Sequence, residues 1–152
     1  MAFNFFARIA SGFPHPSAAA QPVIDVARSP NCGCCGDWIE HMRTAGFTIN
    51  DRLVDDLAPL KARFGGIPSD LESCDRGAVE GYAIEGHVPA EDVFCLLHEW
   101  PSAIDLAVPG MPLGSPRMEA GGQSEPYEVI LFTASGGRSA PAIEKLAQSY
   151  GV

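Results

Sequence analysis

Val23-Ile24-Asp25-Val26-Ala27-Arg28-Ser29-Pro30-Asn31-Cys32-Gly33-Cys34-Cys35-Gly36-Asp37-Trp38 is the stretch on which the fold turns. Val23 to Ala27 is rich in β-branched residues and reads as a strand. Gly36 to Ala45 reads as a helix: Trp38, Ile39, Met42 and Ala45 share one face, and Gly46 stops it. Between them sit three clustered cysteines. Thiols this close bind a soft metal, do thiol–disulfide chemistry, or both. Cys32 and Cys35 form C-x-x-C, the spacing of redox dithiols and of half a metal site. Cys32 and Cys34 form C-x-C, which can wrap two thiolates round one ion. Cys74, far along the chain, offers a fourth sulfur.

Outward from this stretch the chain alternates strand and helix signals. Phe47 to Asn50 predicts a second strand. Asp56 is placed to cap a helix through Leu57, Leu60 and Phe64, ended by Gly65-Gly66 and Pro68. Val79 to Ile84 reads as a strand ended by Gly86, and Pro89 opens a helix over Ala90 to Trp100. Ile104 to Val108 and Tyr127 to Phe132 read as strands, and Pro141 to Tyr150 as a last helix. A strand, a cysteine loop and a helix, followed by alternating elements, is what a thioredoxin-like α/β fold needs, with a central mixed sheet flanked by helices. Cys34 and Cys35 then fall at or near the first helical turn. The unpaired N–H groups there favour a thiolate, which is both nucleophile and soft-metal ligand.

The 152 residues carry 46 % hydrophobic side chains, enough for one domain with a sizeable core. A net charge of -9 disfavours nucleic acid and anionic membrane surfaces, which need a basic patch. No stretch reaches the length of a membrane span. Five cysteines, three of them in one loop, are too few and too clustered for a disulfide scaffold. Residues 1–21 form a leader or degenerate export signal: the apolar start is short, holds Arg8, and is broken by Gly12, Pro14 and Pro16. Residues 22–152 form the domain.

At this point the chain resembles the CopG-type copper-resistance proteins. The resemblance runs from about Val26 to Phe132. It rests on Ser29 to Trp38, on Gly66-Ile67-Pro68 with Ser73-Cys74, and on Gly81-Tyr82-Ala83-Ile84-Glu85-Gly86-His87-Val88-Pro89-Ala90. It continues through Ala107-Val108-Pro109-Gly110-Met111-Pro112-Leu113-Gly114-Ser115-Pro116 and Met118-Glu119. It implies a thioredoxin-like fold, export to the periplasm, and copper bound largely by cysteine, with Cys32, Cys34, Cys35 and Cys74 as the metal ligands. The partners it implies are copper ions and other copper-handling proteins. This chain departs from the family pattern after the distant cysteine, where Asp75 and Arg76 replace a histidine and a small polar residue.

A sulfur-rich set selects Cu(I), zinc or an iron–sulfur cluster. Zinc ribbons use two separated C-x-x-C pairs, and only one is present. Iron–sulfur spacing fits poorly. Chemistry alone favours Cu(I) modestly over Zn(II); the resemblance adds the rest. The expected function is Cu(I) binding by a thiolate cluster, and the alternative is a thiol–disulfide or copper oxidoreductase using Cys32 and Cys35. Each further candidate has a plainer reading. Met111 and Met118 flank a Gly/Pro loop and suit Cu(I), but a single Met commonly fills a core. His87 is a ligand or a hydrogen-bonded loop histidine. Cys95 falls on the polar side of its helix near His98, and His41 and His15 read as solvated.

Overall fold

The structure is a computed structural model that describes residues 22–63, 72–100, 102–103, 105–118, 123–132 and 149–150. β1 (Val23–Arg28) leads through α1 (Gly33–Thr44) to β2 (Thr48–Leu53), which pairs parallel with β1 from Val23–Thr48 to Arg28–Leu53. A short α2 (Ala58–Ala62) follows. β3 (Asp75–Val79) and β4 (Tyr82–Glu85) form an antiparallel hairpin, and β3 also pairs antiparallel with β1. α3 (Ala90–Glu99) connects β4 to the parallel β5 (Asp105–Ala107), and β7 (Ile130–Phe132) closes the edge antiparallel to β5. The sheet order is β2-β1-β3-β4-β5-β7. β6 (Tyr127–Glu128) and β8 (Ser149–Tyr150) form a separate antiparallel pair. The result is an α/β fold with a six-stranded mixed sheet flanked by helices, consistent with the thioredoxin-like arrangement.

Local chemistry explains the elements. Ile24 and Val26 of β1 point into the core while Val23 and Asp25 face out, the period of a half-buried strand. In α1 the buried residues are Cys35, Trp38, Ile39 and Met42, spaced three and four apart. This face packs the first cysteine loop against the sheet. Core positions of β4, α3 and β5 include Ile84, Val93, Leu96 and Leu106.

Several expected elements differ in detail. α1 starts at Gly33, three residues before the expected start, so the helix takes in Cys34 and Cys35 fully. The single strand expected over Val79 to Ile84 is two strands. Glu80 at φ 46° and Gly81 at φ 85° make a two-residue turn, and positive φ at both centres is what a tight hairpin requires. Asp56 does not cap in the ordinary sense: α2 begins at Ala58 with Leu57 at its cap position, while Asp56 Oδ1 accepts the Ala58 N–H at 2.9 Å. Tyr127 to Phe132 splits at Val129, which is buried, into strands of two different sheets. Ser149–Tyr150, expected at the end of a helix, is strand instead. The leader over 1–21, the Phe64 and Gly65-Gly66-Pro68 end of the second helix, Ile104, and the helix expected over 141–148 lie outside the described residues. Among those described, no helix is long and apolar enough to cross a membrane.

Candidate metal centre

Cys32 occupies the N-cap position of α1 in extended conformation, φ -91° and ψ 91°, with no side-chain cap. Cys34 and Cys35 follow inside the first turn. Cys35 is fully buried on the core face, and Cys34 is partly exposed on another. Cys74 arrives from the opposite direction, immediately before β3. Its Sγ lies 2.7 Å from Cys32 Sγ and 3.2 Å from Cys35 Sγ, and Cys34 Sγ is 3.5 Å from Cys32 Sγ. All four sulfurs lie within 4.8 Å of one another. A metal–sulfur bond of about 2.3 Å lets sulfurs up to about 4.6 Å apart share one ion. Once reduced to thiols, these four sulfurs make a donor set that suits one or more soft ions. In this structure Cys32 and Cys35 are joined by a disulfide, and the free thiols are Cys34, Cys74 and Cys95.

The segment that delivers Cys74 is held by buried charge. Glu85, fully buried on β4, accepts the Ser73 N–H and pairs with Lys61 Nζ at 2.9 Å. Lys61 Nζ also donates to the Ser73 carbonyl at 2.7 Å. On its other oxygen Glu85 takes Arg76 Nη1 at 2.9 Å, and the same nitrogen reaches Asp105 Oδ2 at 2.6 Å. Ser73, the residue before Cys74, is thus fixed on both its N–H and its C=O. Its hydroxyl donates to Met111 Sδ at 2.9 Å, which brings that thioether beside the cysteine segment.

Electrostatics at the site oppose each other. Burial pushes the Cys74 thiol up to about 11, with the Asp75 charge and Cys34 adding to it. Cys34 and Cys35 sit in the first turn of α1, whose unpaired backbone N–H groups carry partial positive charge. A bound cation would reverse the burial penalty by supplying the missing positive charge. Asp75 is 1 % exposed, and its carboxylate oxygens make no hydrogen bond of good geometry, only weaker approaches from the backbone N–H groups of Asp75 and Gly86. Burial, then the Glu85 charge, raise it to about 7, against the opposing pull of Lys61.

His87 is also fully buried. Its Nδ1 meets the Pro116 carbonyl at 2.9 Å, and its ring stacks on Trp38 at 6.1 Å between centroids. Trp38 Nε1 in turn donates to the Val88 carbonyl at 2.9 Å, tying α1 to the loop before α3. His41 is not solvated as expected: its Nε2 accepts the Ala90 N–H at 3.1 Å, at the start of α3. Cys95 is not on a purely polar face. It is half-buried against the core, where burial raises its thiol, and it is not among the four converging sulfurs. Met118 is partly buried at the end of its loop, its N–H bonded to the Ser115 carbonyl at 2.8 Å. His15 lies outside the described residues.

Sequence reasoning missed Lys61, Glu85, Arg76 and Asp105 as a group. A signal existed: Glu85 and Asp105 are acidic residues inside otherwise apolar strand-like runs, where an ionised group needs a partner.

A family described as a protein of unknown function, DUF411, matches residues 71–118. Two solved structures are similar over most of the chain. One, named "Copper resistance protein copG- Form 1", is 40 % identical with a TM-score of 0.76, covering 87 % of this chain and 100 % of that one. The other, "Copper resistance protein copG- Form 2", is 44 % identical with a TM-score of 0.73, covering 78 % of this chain and 94 % of that one. No curated protein matches.

Proposed function

The chain belongs to the family of the CopG copper-resistance proteins, and from that premise we propose that it binds copper as Cu(I) through Cys32, Cys34, Cys35 and Cys74. The observation that carries this reading is the convergence of four sulfurs within 4.8 Å. Thiolates are soft and bridge readily, and Cu(I) accepts two or three of them. The role is copper homeostasis or resistance, with copper ions as the partner and other copper-handling proteins as exchange partners. The periplasmic placement follows the sequence resemblance. Cys32 and Cys35 supply thiolates only when their disulfide is reduced, so reduction precedes binding. The test is anaerobic loading of reduced and diamide-oxidised protein, followed by copper quantification and native mass spectrometry. The reduced protein is expected to hold Cu(I) against excess Zn(II), and the oxidised protein to hold at least tenfold less. Displacement of stoichiometric Cu(I) by zinc would overturn the reading.

A second reading is favoured by the Cys32–Cys35 disulfide lying in contact with the Cys74 sulfur. The two thiolates would give one electron each to two Cu(II) ions, forming the disulfide and two Cu(I). A reductant would then regenerate the thiols. The diagnostic is loss of two free thiols for every two Cu(II) added anaerobically, counted by alkylation and mass spectrometry.

A further inference from the structure

Beside the four sulfurs lies a second set of donors, two of which copper binding by cysteine does not use. Cys35 Sγ, a carboxylate oxygen of Asp75 and a ring nitrogen of His87 lie within 4.8 Å of one another, and all three residues are buried. They come from three elements: the first turn of α1, the first residue of β3, and the loop between β4 and α3. We propose that, once the Cys32–Cys35 disulfide is reduced, Cys35, Asp75 and His87 form a mixed sulfur–oxygen–nitrogen site for a borderline divalent cation of the Zn(II) class, distinct from the sulfur-only Cu(I) set.

Three observations carry this. The first is Asp75. Its carboxylate is 1 % exposed and neither oxygen has a hydrogen bond of good geometry; the backbone N–H groups of Asp75 and Gly86 and the Lys61 charge offset its burial only in part, and a directly bound cation would complete that. The second is the orientation of His87. A carbonyl only accepts, so the 2.9 Å contact with Pro116 O places the proton on Nδ1. In the neutral ring Nε2 then carries the lone pair. A backbone carbonyl on the other nitrogen is the usual orienting contact of a metal-bound histidine. Stacking on Trp38 fixes the ring plane.

The third is charge. A Cys35 thiolate and an Asp75 carboxylate sum to two negative charges, and neutral His87 adds none. A divalent ion makes this buried centre neutral. A single Cu(I) would leave it with an uncompensated negative charge, which the interior penalises. Sulfur, oxygen and nitrogen together are also the donors that Zn(II) accepts in a tetrahedral site, with the fourth position left to water or a neighbouring thiolate. Because Cys35 is shared, the two ion classes compete for one sulfur. Oxidation to the disulfide withdraws it from both.

The test uses Co(II) as the spectroscopic stand-in for Zn(II). In the full chain, Cys32→Ser, Cys34→Ser, Cys74→Ser and Cys95→Ser leave Cys35 as the one thiol. Kept reduced with a phosphine, this protein should bind one Co(II) with a sulfur-to-cobalt charge-transfer band. Adding Asp75→Asn or His87→Gln should weaken binding at least tenfold. Affinity within twofold of the parent in both variants overturns the proposal, as does failure of the parent, shown folded by circular dichroism, to bind Co(II). If the parent does not fold, the reduced wild-type chain decides. On adding Zn(II), the His87 Nε2 resonance, assigned with His87→Gln, should move to the metal-bound range, and Asp75→Asn should abolish the move. An unresponsive His87 overturns the proposal. Cu(I) loading of the wild-type chain is measured separately. Its absence would sink the four-sulfur reading and leave the Co(II) result standing.

Discussion

Cys74 Sγ lies 2.7 Å from Cys32 Sγ although 42 residues separate them in the chain. That contact makes the loop cysteines and the distant one a single donor set. A shared thiolate cluster loses a bridge with each sulfur removed. Replacing Cys32, Cys34, Cys35 or Cys74 by serine should therefore each cut anaerobic Cu(I) stoichiometry by half or more. Cys95→Ser should leave it unchanged, because Cys95 packs against the core away from the cluster. Metal quantification on the five single variants checks this. A copper loss in Cys95→Ser equal to that in Cys34→Ser would mean that the ligand set is misassigned.

The sequence made the α1 half of this centre legible because its signals are local. Cysteine spacing, a strand before and an apolar helix face after are read within sixteen residues, Val23 to Trp38. The βαβ start and the helix after Pro89 were legible for the same reason. What brings Cys74 into reach is not local. It depends on β3 lying antiparallel beside β1, with Arg28 opposite Asp75. No spacing rule encodes that register, and the hairpin that sets it reads as one strand because Glu80 gives no conventional turn signal. The environments of Asp75 and His87 were illegible for a further reason: burial of a polar residue is a tertiary property. In the sequence Asp75 is only an acidic residue after a cysteine, and His87 only a histidine before Val88-Pro89.

Asp105 yields a prediction about pH. Burial raises its carboxyl from 3.8 to about 7, outweighing the Arg76 guanidinium that pulls it down. Between those values the folded chain binds a proton that the unfolded chain has released. Stability therefore falls as pH rises from about 4 to about 7 and levels off above. Three units correspond to at most about 4 kcal/mol. Asp105→Asn removes this term. The stability of the variant relative to wild type should rise by about 1 kcal/mol or more between pH 5 and pH 8. Urea unfolding of reduced, metal-free protein at both pH values measures it. A relative stability that falls instead would mean that Asp105 stays ionised against Arg76 throughout.

Gly86 links the hairpin to the centre. Its φ is +75°, and a Cβ there would sit 2.5 Å from the Val108 carbonyl oxygen and 3.2 Å from Ser73 Cβ. Gly86→Ala meets both a left-handed backbone, about 1–2 kcal/mol, and a clash with backbone that cannot swing away. The clash also presses on Ser73 and so on Cys74. The expected loss is about 2 kcal/mol or more, with reduced copper loading. Gly81→Ala is the control. It has φ +85° but open space around its Cβ, so it should lose only the backbone term, about 1–2 kcal/mol, and load copper normally. Equal losses in the two variants would remove Gly86 from the support of the centre.

The Cys32–Cys35 disulfide at a helix start has the spacing of a thioredoxin dithiol, so disulfide exchange must be tested directly. A protein-disulfide reductase needs an exposed attacking thiolate and one unambiguous resolving thiol. Here Cys34 and Cys74 both lie against Cys32, at 3.5 Å and 2.7 Å. Either can capture a mixed disulfide in place of Cys35. Metal-free protein should therefore reduce insulin with dithiothreitol at least tenfold more slowly than a C-x-x-C thioredoxin. Cys34→Ser should speed it by removing a competitor. A wild-type rate equal to that of the thioredoxin would make disulfide exchange the function and copper a ligand of exposed thiols.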